Sequence, residues 1–162
     1  MIHINTLPHY LISHKTLYLE QSFDLHAETS IEETDANYTC LQPMTTILEQ
    51  TCLSFGSTVA GRKKSMQKIF NLNQTPIFPI SPHHDLYCFQ THSPRTDHCV
   101  FIMTTHLTHY TACADGITFH FNSGKSKHVQ MTKAKTEKIM SLFSLYTLYF
   151  KNALPIRQPI HV

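Results

Sequence analysis

The chain contains little charge and little glycine, and it has no extended apolar segment. Only 15% of its 162 residues are charged, against about 25% in an average domain, so the placement of each charge is informative. Four glycines and eight prolines beside 41% hydrophobic residues are typical of a folded domain and exclude a disordered chain. No apolar segment reaches the ~18–20 residues that span a bilayer, which argues against a transmembrane protein but leaves peripheral membrane binding open.

Paired cysteines and a signal peptide are also absent from the sequence. Its five cysteines contain no C-x-x-C pair; they are Cys40, Cys52, Cys88, Cys99 and Cys113. An odd number without pairing favours reduced thiols over a disulfide framework. The first twenty residues have no basic region followed by an apolar one. We therefore expect a cytoplasmic protein of one domain, residues 1–162, in which residues 1–15 and 155–162 are loosely ordered.

The charges are divided unevenly along the chain. Residues 1–49 contain seven acidic residues and one lysine, a net charge of −6. Residues 50–162, here called the basic body, contain twelve basic and four acidic residues, a net charge of +8. The overall net charge of +2 is the sum of this basic body and the acidic segment, residues 1–49. A basic body suggests an anionic partner. The acidic segment is either a solvated face or a surface that docks a partner or competes with DNA for the basic face.

One stretch, SFGSTVAGRKKSMQKIF at residues 54–70, combines backbone freedom with positive charge. Gly56 and Gly61 permit conformations and close approaches that a Cβ would forbid. Four cations follow within seven residues: Arg62, Lys63, Lys64 and Lys68. The composition fits a solvated basic turn, and it also fits a site for a nucleotide phosphate or a nucleic-acid backbone.

A phosphate-binding P-loop is the first alternative for this stretch. The residues GSTVAGRKKS resemble G-x-x-x-x-G-K-[ST], but Arg62 separates the second glycine from the lysine. In a P-loop the lysine follows the glycine directly so that it reaches the phosphates, and the loop leaves an apolar strand. Here a helical pattern precedes the loop, which disfavours nucleotide binding.

Metal binding and catalysis are two further alternatives. The thirteen histidines and five cysteines include only loose pairs such as Cys88/His92 and His109/Cys113, which differ from the spacing of structural zinc sites. A metal-binding regulatory or interaction protein without DNA binding stays the second hypothesis. A cysteine–histidine nucleophile has no positive support. We predict no enzyme activity, no catalytic residue, no metal ligand and no cofactor.

Periodicity predicts an α+β fold in which two or three helices pack on an antiparallel sheet. Strands are expected in Leu17–Cys40 and Ile77–Met131. Helices are expected near Pro43–Phe70, interrupted at Gly56, and near Thr132–Phe150. Within Pro43–Phe70, Ser57 is the expected cap of the helix that follows Gly56. Thr132 is the expected cap of the final helix.

Two of the strands can be recognised individually. The residues from His98 to Met103 are apolar on both alternating faces, which predicts a central strand that is covered on each side. The sequence ITFHFNSGKSKHVQM predicts a β-hairpin that turns at Asn122–Lys125. Lys125 and Lys127 then lie at or beside its tip.

Nucleic acid fits the distribution of the basic residues best. Lysines on separate elements neutralise phosphates, and an arginine can enter the narrow minor groove of A·T-rich DNA. We expect Arg62, Lys63 and Lys64 as the first DNA contacts, with Gly61 allowing close approach. The second group of expected contacts comprises Lys68, Arg95, Lys125 and Lys127.

Three blocks of sequence follow one another in a recognisable order: FGSTVAGRK at Phe55–Lys63, SPRTDHCVFIMTTHL at Ser93–Leu107 and ITFHFNSGKS at Ile117–Ser126. With the acidic region before them and a helix after, they resemble the competence transcription factor (ComK) family, although Phe101 stands where a family tryptophan is expected. The resemblance implies a cytoplasmic activator of DNA-uptake genes that binds paired A·T-rich boxes through the minor groove as a homodimer or higher oligomer. It also implies RNA polymerase and a protease-adaptor protein as partners.

Overall fold

The computed structural model describes residues 6–156, and the side chains of residues 6–152. Within this range the α+β fold is confirmed, with ten strands and three helices. The strands are β1 (Thr6–Leu7), β2 (Thr16–Gln21), β3 (Thr29–Glu33), β4 (Asn37–Cys40), β5 (Ile77–Ser81), β6 (Leu86–Gln90), β7 (Val100–Met103), β8 (Leu107–Cys113), β9 (Gly116–Phe121) and β10 (Ser126–Val129). The helices are α1 (Met44–Ser54), α2 (Val59–Phe70) and α3 (Lys133–Ile156).

The described strands form two sheets, where the sequence predicts one. Seven strands lie in the order β1-β4-β3-β2-β7-β6-β5, and three lie in the order β10-β9-β8. The three-stranded sheet contains the predicted hairpin, because β9 and β10 pair antiparallel with Ile117 opposite Val129. The larger sheet is mixed, since β1 runs parallel to β4 with Thr6 beside Thr39.

The first described residues are packed against the larger sheet. Tyr10 and Ile12 are buried, and the Tyr10 hydroxyl donates a 2.6 Å hydrogen bond to a carboxylate oxygen of Glu33. Residues 6–15 fall in the stretch that was expected to be loosely ordered, and of their apolar side chains Tyr10 and Ile12 are buried whereas Leu11 is 52% exposed. Residues 1–5 and 157–162 lie outside the described range.

Strand β7 is the predicted central strand, and it is covered on both faces. Its neighbours are β2 on one side and β6 on the other. Phe101 and Met103 belong to the core under α1. Val100 and Ile102 belong to the opposite core, which β9, β10 and α3 complete. Because side chains alternate along a strand, a strand buried on both faces must be apolar at every position.

The corner between α1 and α2 has a regular helix-ending hydrogen-bond pattern. Gly56 has φ +83°, and its N–H donates to the Leu53 carbonyl at 3.0 Å. The next N–H, that of Ser57, donates to the Cys52 carbonyl at 3.1 Å. These two bonds form a Schellman motif, which stops α1 at the glycine.

The following helix begins one residue later than predicted. Thr58, and not Ser57, caps α2, because its hydroxyl accepts from the Gly61 N–H at 2.9 Å. A Cβ at Gly61 would lie 3.0 Å from that hydroxyl and 3.2 Å from the Ser57 hydroxyl. Gly61 therefore lies within the first turn of α2 and accommodates its cap, and it does not interrupt the helix.

Helix α2 passes over the edge of the larger sheet. It contacts β5, the last strand of that sheet. Near its start Val59 packs against the core under α1, whereas Met66 is buried in the core that contains α3. The helix thus joins the two faces, and it covers an edge strand that would otherwise be open to pairing with another chain.

The last helix, α3, has one buried face. Thr132 caps it as predicted, since its hydroxyl accepts from the Lys135 N–H at 3.2 Å. The helix is described as far as Ile156, six residues beyond the predicted Phe150, and it includes Pro155. The buried side chains are Thr136, Ile139, Leu142, Tyr146 and Phe150.

None of the described helices meets the length and hydropathy needed to cross a membrane.

Two glycines with positive φ permit a matched test of the fold. A Cβ at Gly116 (φ +149°) would lie 2.3 Å from the Val129 carbonyl oxygen, whereas a Cβ at Gly56 would meet no atom within 4 Å. We expect Gly56→Ala to lower the free energy of unfolding by about 1 kcal/mol, from backbone strain alone. Gly116→Ala adds a clash with backbone and should cost about 3 kcal/mol. Equal losses in urea titrations would contradict the close packing of β9 on β10.

Buried tyrosines predict sensitivity to alkaline pH. Burial raises the pKa of Tyr87 and of Tyr146 to about 12. The unfolded chain loses these protons from about pH 10, so the free energy of unfolding should fall as the pH rises from about 10 to 12. The Tyr146 hydroxyl has no hydrogen-bond partner among the described residues. Tyr146→Phe should therefore match or exceed the wild-type stability at pH 7 and lose less at high pH. An unchanged pH dependence in urea titrations would contradict this.

Candidate nucleic-acid interface

Arg62 is turned toward the end of α1. Its guanidinium Nη2 donates to the Phe55 carbonyl at 3.3 Å, and Phe55 is the C-cap residue that directly follows α1. Its Nε is buried and has no hydrogen-bond partner among the described residues. A cation at the carboxyl end of a helix is stabilised by the carbonyl dipoles that remain unpaired there. Arg62 thus fixes α2 relative to α1.

Lys63 projects from α2 toward the end of β6, near the edge of the larger sheet. Its amine donates to the Gln90 side-chain carbonyl at 3.2 Å and lies 5.2 Å from the centre of the Phe78 ring. On the other side, the Lys135 amine donates to the Thr91 carbonyl. Two lysines from α2 and α3 therefore approach the same segment, residues 90–91.

The two lysines share a surface groove of about 400 Å³. Most of its other lining side chains are amides or hydroxyls, and among the described residues that line it none is acidic. The lining comprises Lys63, Gln67, Asn73, Gln74, Thr75, Pro76, Gln90, His92, Ser93 and Lys135. Amide side chains both donate and accept hydrogen bonds, so the groove can contact phosphates, sugars or base edges.

Three more of the predicted cations are exposed on α2 and in the connection between β6 and β7. Lys64 and Lys68 are one helical turn apart on the outer side of α2, and Arg95 follows Ser93 in the connection between β6 and β7. None of the three has a carboxylate within 4.0 Å in the described part of the chain. We define the basic surface as Lys63, Lys64, Lys68, Arg95 and Lys135.

The hairpin lysines are neutralised inside the chain. The Lys125 amine lies 2.7 Å from a Glu32 carboxylate oxygen and donates to the Glu33 carbonyl at 2.8 Å. The Lys127 amine lies 2.6 Å from a Glu20 carboxylate oxygen. These acids belong to β2 and β3, so the acidic segment covers the hairpin. DNA contact by Lys125 and Lys127 stays a prediction, and it would require these ion pairs to open.

Neither of the two loose residue pairs named from the sequence occurs together in a group of three or more converging metal ligands among the described residues. Cys88 is buried, whereas His92 lines the groove. Cys113, from the second pair, converges instead with Asp115 and His128 closely enough to share an ion. All five cysteines are free thiols, as the cysteine pattern predicts.

Lys135 is the member of the basic surface that sequence reasoning missed. It is one of three lysines in the first two turns of α3, with Lys133 and Lys138. That clustering was visible in the sequence. Its proximity to Lys63 was not, because it depends on how α3 packs beside β6.

A family model described as ComK protein matches residues 7–152. The chain belongs to the ComK family. The competence transcription factor of Bacillus subtilis (strain 168) is 25% identical over 103 residues, which is 63% of this chain and 53% of that protein. The chain therefore spans about half the length of this curated relative. No solved structure matches the chain.

The ComK match includes the whole basic surface. Its limits, residues 7 and 152, enclose α1, α2 and every described strand residue except Thr6, together with the part of α3 that carries Lys135. The residues from Phe55 to Lys63, which carry the sequence resemblance most heavily, form the corner that positions Lys63 beside the groove.

A stability measurement separates the two kinds of cation on α2. We expect Arg62→Ala to lower the free energy of unfolding by about 1 kcal/mol or more, since it removes a charged donor from Phe55. Lys64→Ala removes an exposed side chain and should change stability by less than about 0.5 kcal/mol. Urea titrations of both variants test this. Equal stability of the two variants would contradict a positioning role for Arg62.

Proposed function

We propose that this ComK-family chain binds A·T-rich double-stranded DNA and activates transcription of DNA-uptake genes. Membership of the ComK family and the name of the curated relative, competence transcription factor, support transcription activation. The observation that carries DNA binding is the basic surface, in which Lys63 and Lys135 line a groove without carboxylates in its described lining. The other three cations are exposed on α2 and in the connection between β6 and β7. The activity is binding alone, without catalysis.

The five cations of the basic surface suit a phosphate backbone. Lys63 and Lys135 line one groove, and Lys64 and Lys68 are exposed on the outer side of α2. Together these lysines can neutralise more than one phosphate of a duplex. Each such contact releases counterions, which makes binding depend steeply on salt but carries no sequence information. Preference for A·T-rich DNA must then come from the shape and potential of a narrow minor groove.

We assign entry into the minor groove to Arg95. It is exposed in the connection between β6 and β7, close in sequence to the groove residue Ser93. Arginine is favoured in narrow minor grooves because the negative potential there is enhanced. Arg62 was the first expectation for this role, but it would have to leave the Phe55 carbonyl to reach DNA. We therefore propose that Arg62 acts by positioning α2.

The remaining partners follow from the family resemblance and are proposals. Paired A·T-rich boxes would favour a homodimer, and Leu145 and Leu148 on α3 supply exposed apolar side chains, 44% and 58% exposed, for contact between copies. An activator in the cytoplasm would further contact RNA polymerase, and an adaptor protein would deliver it to a protease.

Binding in a salt series tests which lysines contact DNA. The double variant Lys63→Gln and Lys135→Gln should weaken binding to an A·T-rich duplex and flatten the plot of log affinity against log salt by about two units, at about 0.9 per contact. The matched variant Lys125→Gln and Lys127→Gln should leave the slope nearly unchanged, because those charges are already balanced. Fluorescence anisotropy gives both values. An unaffected slope in the first variant, or equal losses in both, would contradict the assignment.

Binding through the minor groove can be tested separately on the same duplex. A drug that occupies the A·T minor groove should displace the protein, whereas methylation of guanine N7 in the major groove should leave binding unchanged. A G·C-rich duplex of equal length should bind more weakly at the same salt concentration. The reverse pattern would overturn the mode while leaving DNA binding itself intact.

A further inference from the structure

Three potential metal ligands meet at one end of the three-stranded sheet. Cys113 ends β8, Asp115 lies in the turn to β9, and His128 lies in β10. Their sulfur, carboxylate oxygen and ring nitrogen atoms all lie within 4.8 Å of one another. His128 Nε2 lies 3.6 Å from a carboxylate oxygen of Asp115. All three side chains are exposed, so an ion from solution can reach them.

Strand pairing places these side chains together. Cys113 is opposite Gly116 across the β8–β9 turn, and His128 is opposite Thr118 between β9 and β10. Gly116 lets β10 approach closely, since a Cβ there would lie 2.3 Å from the Val129 carbonyl oxygen. The turn and β10 thus converge because of backbone geometry, and the site does not depend on a flexible loop.

The His128 ring already has the orientation of a metal ligand. Its Nδ1 lies 3.1 Å from the Thr118 hydroxyl, so Nε2 faces Asp115. A histidine that binds a metal through one ring nitrogen usually makes a hydrogen bond through the other, which fixes the ring. Thr118 supplies that second interaction here.

We propose that Cys113, Asp115 and His128 bind a zinc ion. Thiolate, imidazole and carboxylate are all zinc ligands, and ligands at ~2.0–2.3 Å in a tetrahedron lie roughly 3.3–3.8 Å apart. The spacing of His128 and Asp115 is already in this range. A groove of about 460 Å³ adjoins the site and is lined by residues that include Cys113, Asp115, Gln130 and Lys133. It leaves room for a water molecule or an anion as the fourth ligand.

Binding has a defined proton balance. The Cys113 thiol donates to the Gly116 carbonyl at 3.4 Å. On coordination the sulfur gives up this hydrogen bond, its proton passes to the solvent, and the thiolate binds the ion. The histidine binds as neutral imidazole. Zinc affinity therefore rises with pH. None of the three ligands belongs to the basic surface, so zinc binding and DNA binding can be tested independently.

Zinc binding to the metal-free, reduced full-length chain is the test, measured by competition with a chromophoric chelator. We expect one zinc ion per chain. Cys113→Ser, Asp115→Asn and His128→Asn should each lower the affinity by at least about tenfold, since loss of even an outer-shell partner costs about 10–100-fold. The control is His109→Asn. His109 is an exposed histidine of β8 that stacks on His120 with ring centres 4.5 Å apart, and its loss should leave zinc binding unchanged.

Two measurements on the unaltered chain keep the test decisive if a variant fails to fold. Of the five cysteines, all in the described part of the chain, Cys113 alone is exposed, so zinc should slow the reaction of one thiol with a thiol reagent. Cobalt(II) should produce a sulfur-to-metal charge-transfer band. Absence of stoichiometric zinc, lack of thiol protection, or loss of zinc in His109→Asn equal to that in His128→Asn would overturn the proposal.

Discussion

Strand β7 is buried on both faces, and the elements that cover it determine where the basic surface lies. Phe101 and Met103 pack under α1, while Val100 and Ile102 pack under the second sheet and α3. A chain that covers both faces must cross an edge of the sheet, and it does so as α2 over β5. The buried positions of α2 therefore fix Lys63 at that edge. The opposite core brings α3, with Lys135, to the same place.

The acidic segment and the basic body form ion pairs with each other in the folded chain. Glu20 and Glu32 in the acidic segment pair with Lys127 and Lys125 of the hairpin. These ion pairs are partly exposed, and such pairs contribute about 0–1 kcal/mol each. Their larger effect is on the distribution of potential, because they neutralise the hairpin and leave the unpaired cations around α2 and the start of α3. The acidic segment was expected to be a solvated face or a competitor for the basic face, and it covers one part of the basic body.

The elements that the sequence predicted are those with a local signal. The β9–β10 hairpin has alternating residues and a turn, and β7 has an apolar run, so both were recognisable. The parallel pairing of β1 with β4 joins residues 33 apart, Thr6 and Thr39, and no periodic pattern encodes it. The division of the strands into two sheets could not be predicted either, because it too depends on pairing between distant residues.

The predicted DNA contacts stay predictions, and the structure adds geometry that the sequence could not supply. The cluster on α2 was visible as four nearby cations, yet the sequence could not show that Arg62 is drawn to the Phe55 carbonyl. Lys135 joins Lys63 only through long-range packing. Of the proposed zinc ligands, Cys113 was considered with His109, but Asp115 and His128 were missed. Spacing rules examine neighbours along the chain, whereas Asp115 precedes β9 and His128 lies in β10, the strand after it.

Amine acetylation with and without a bound A·T-rich duplex, read by mass spectrometry, shows whether the basic surface contacts DNA. We predict that DNA protects Lys63, Lys64, Lys68 and Lys135, while Lys125 and Lys127 react slowly in both states because of their ion pairs. Lys138 should react equally with and without DNA. Protection confined to Lys125 and Lys127, or no protection on α2 at a DNA concentration that saturates binding, would contradict it.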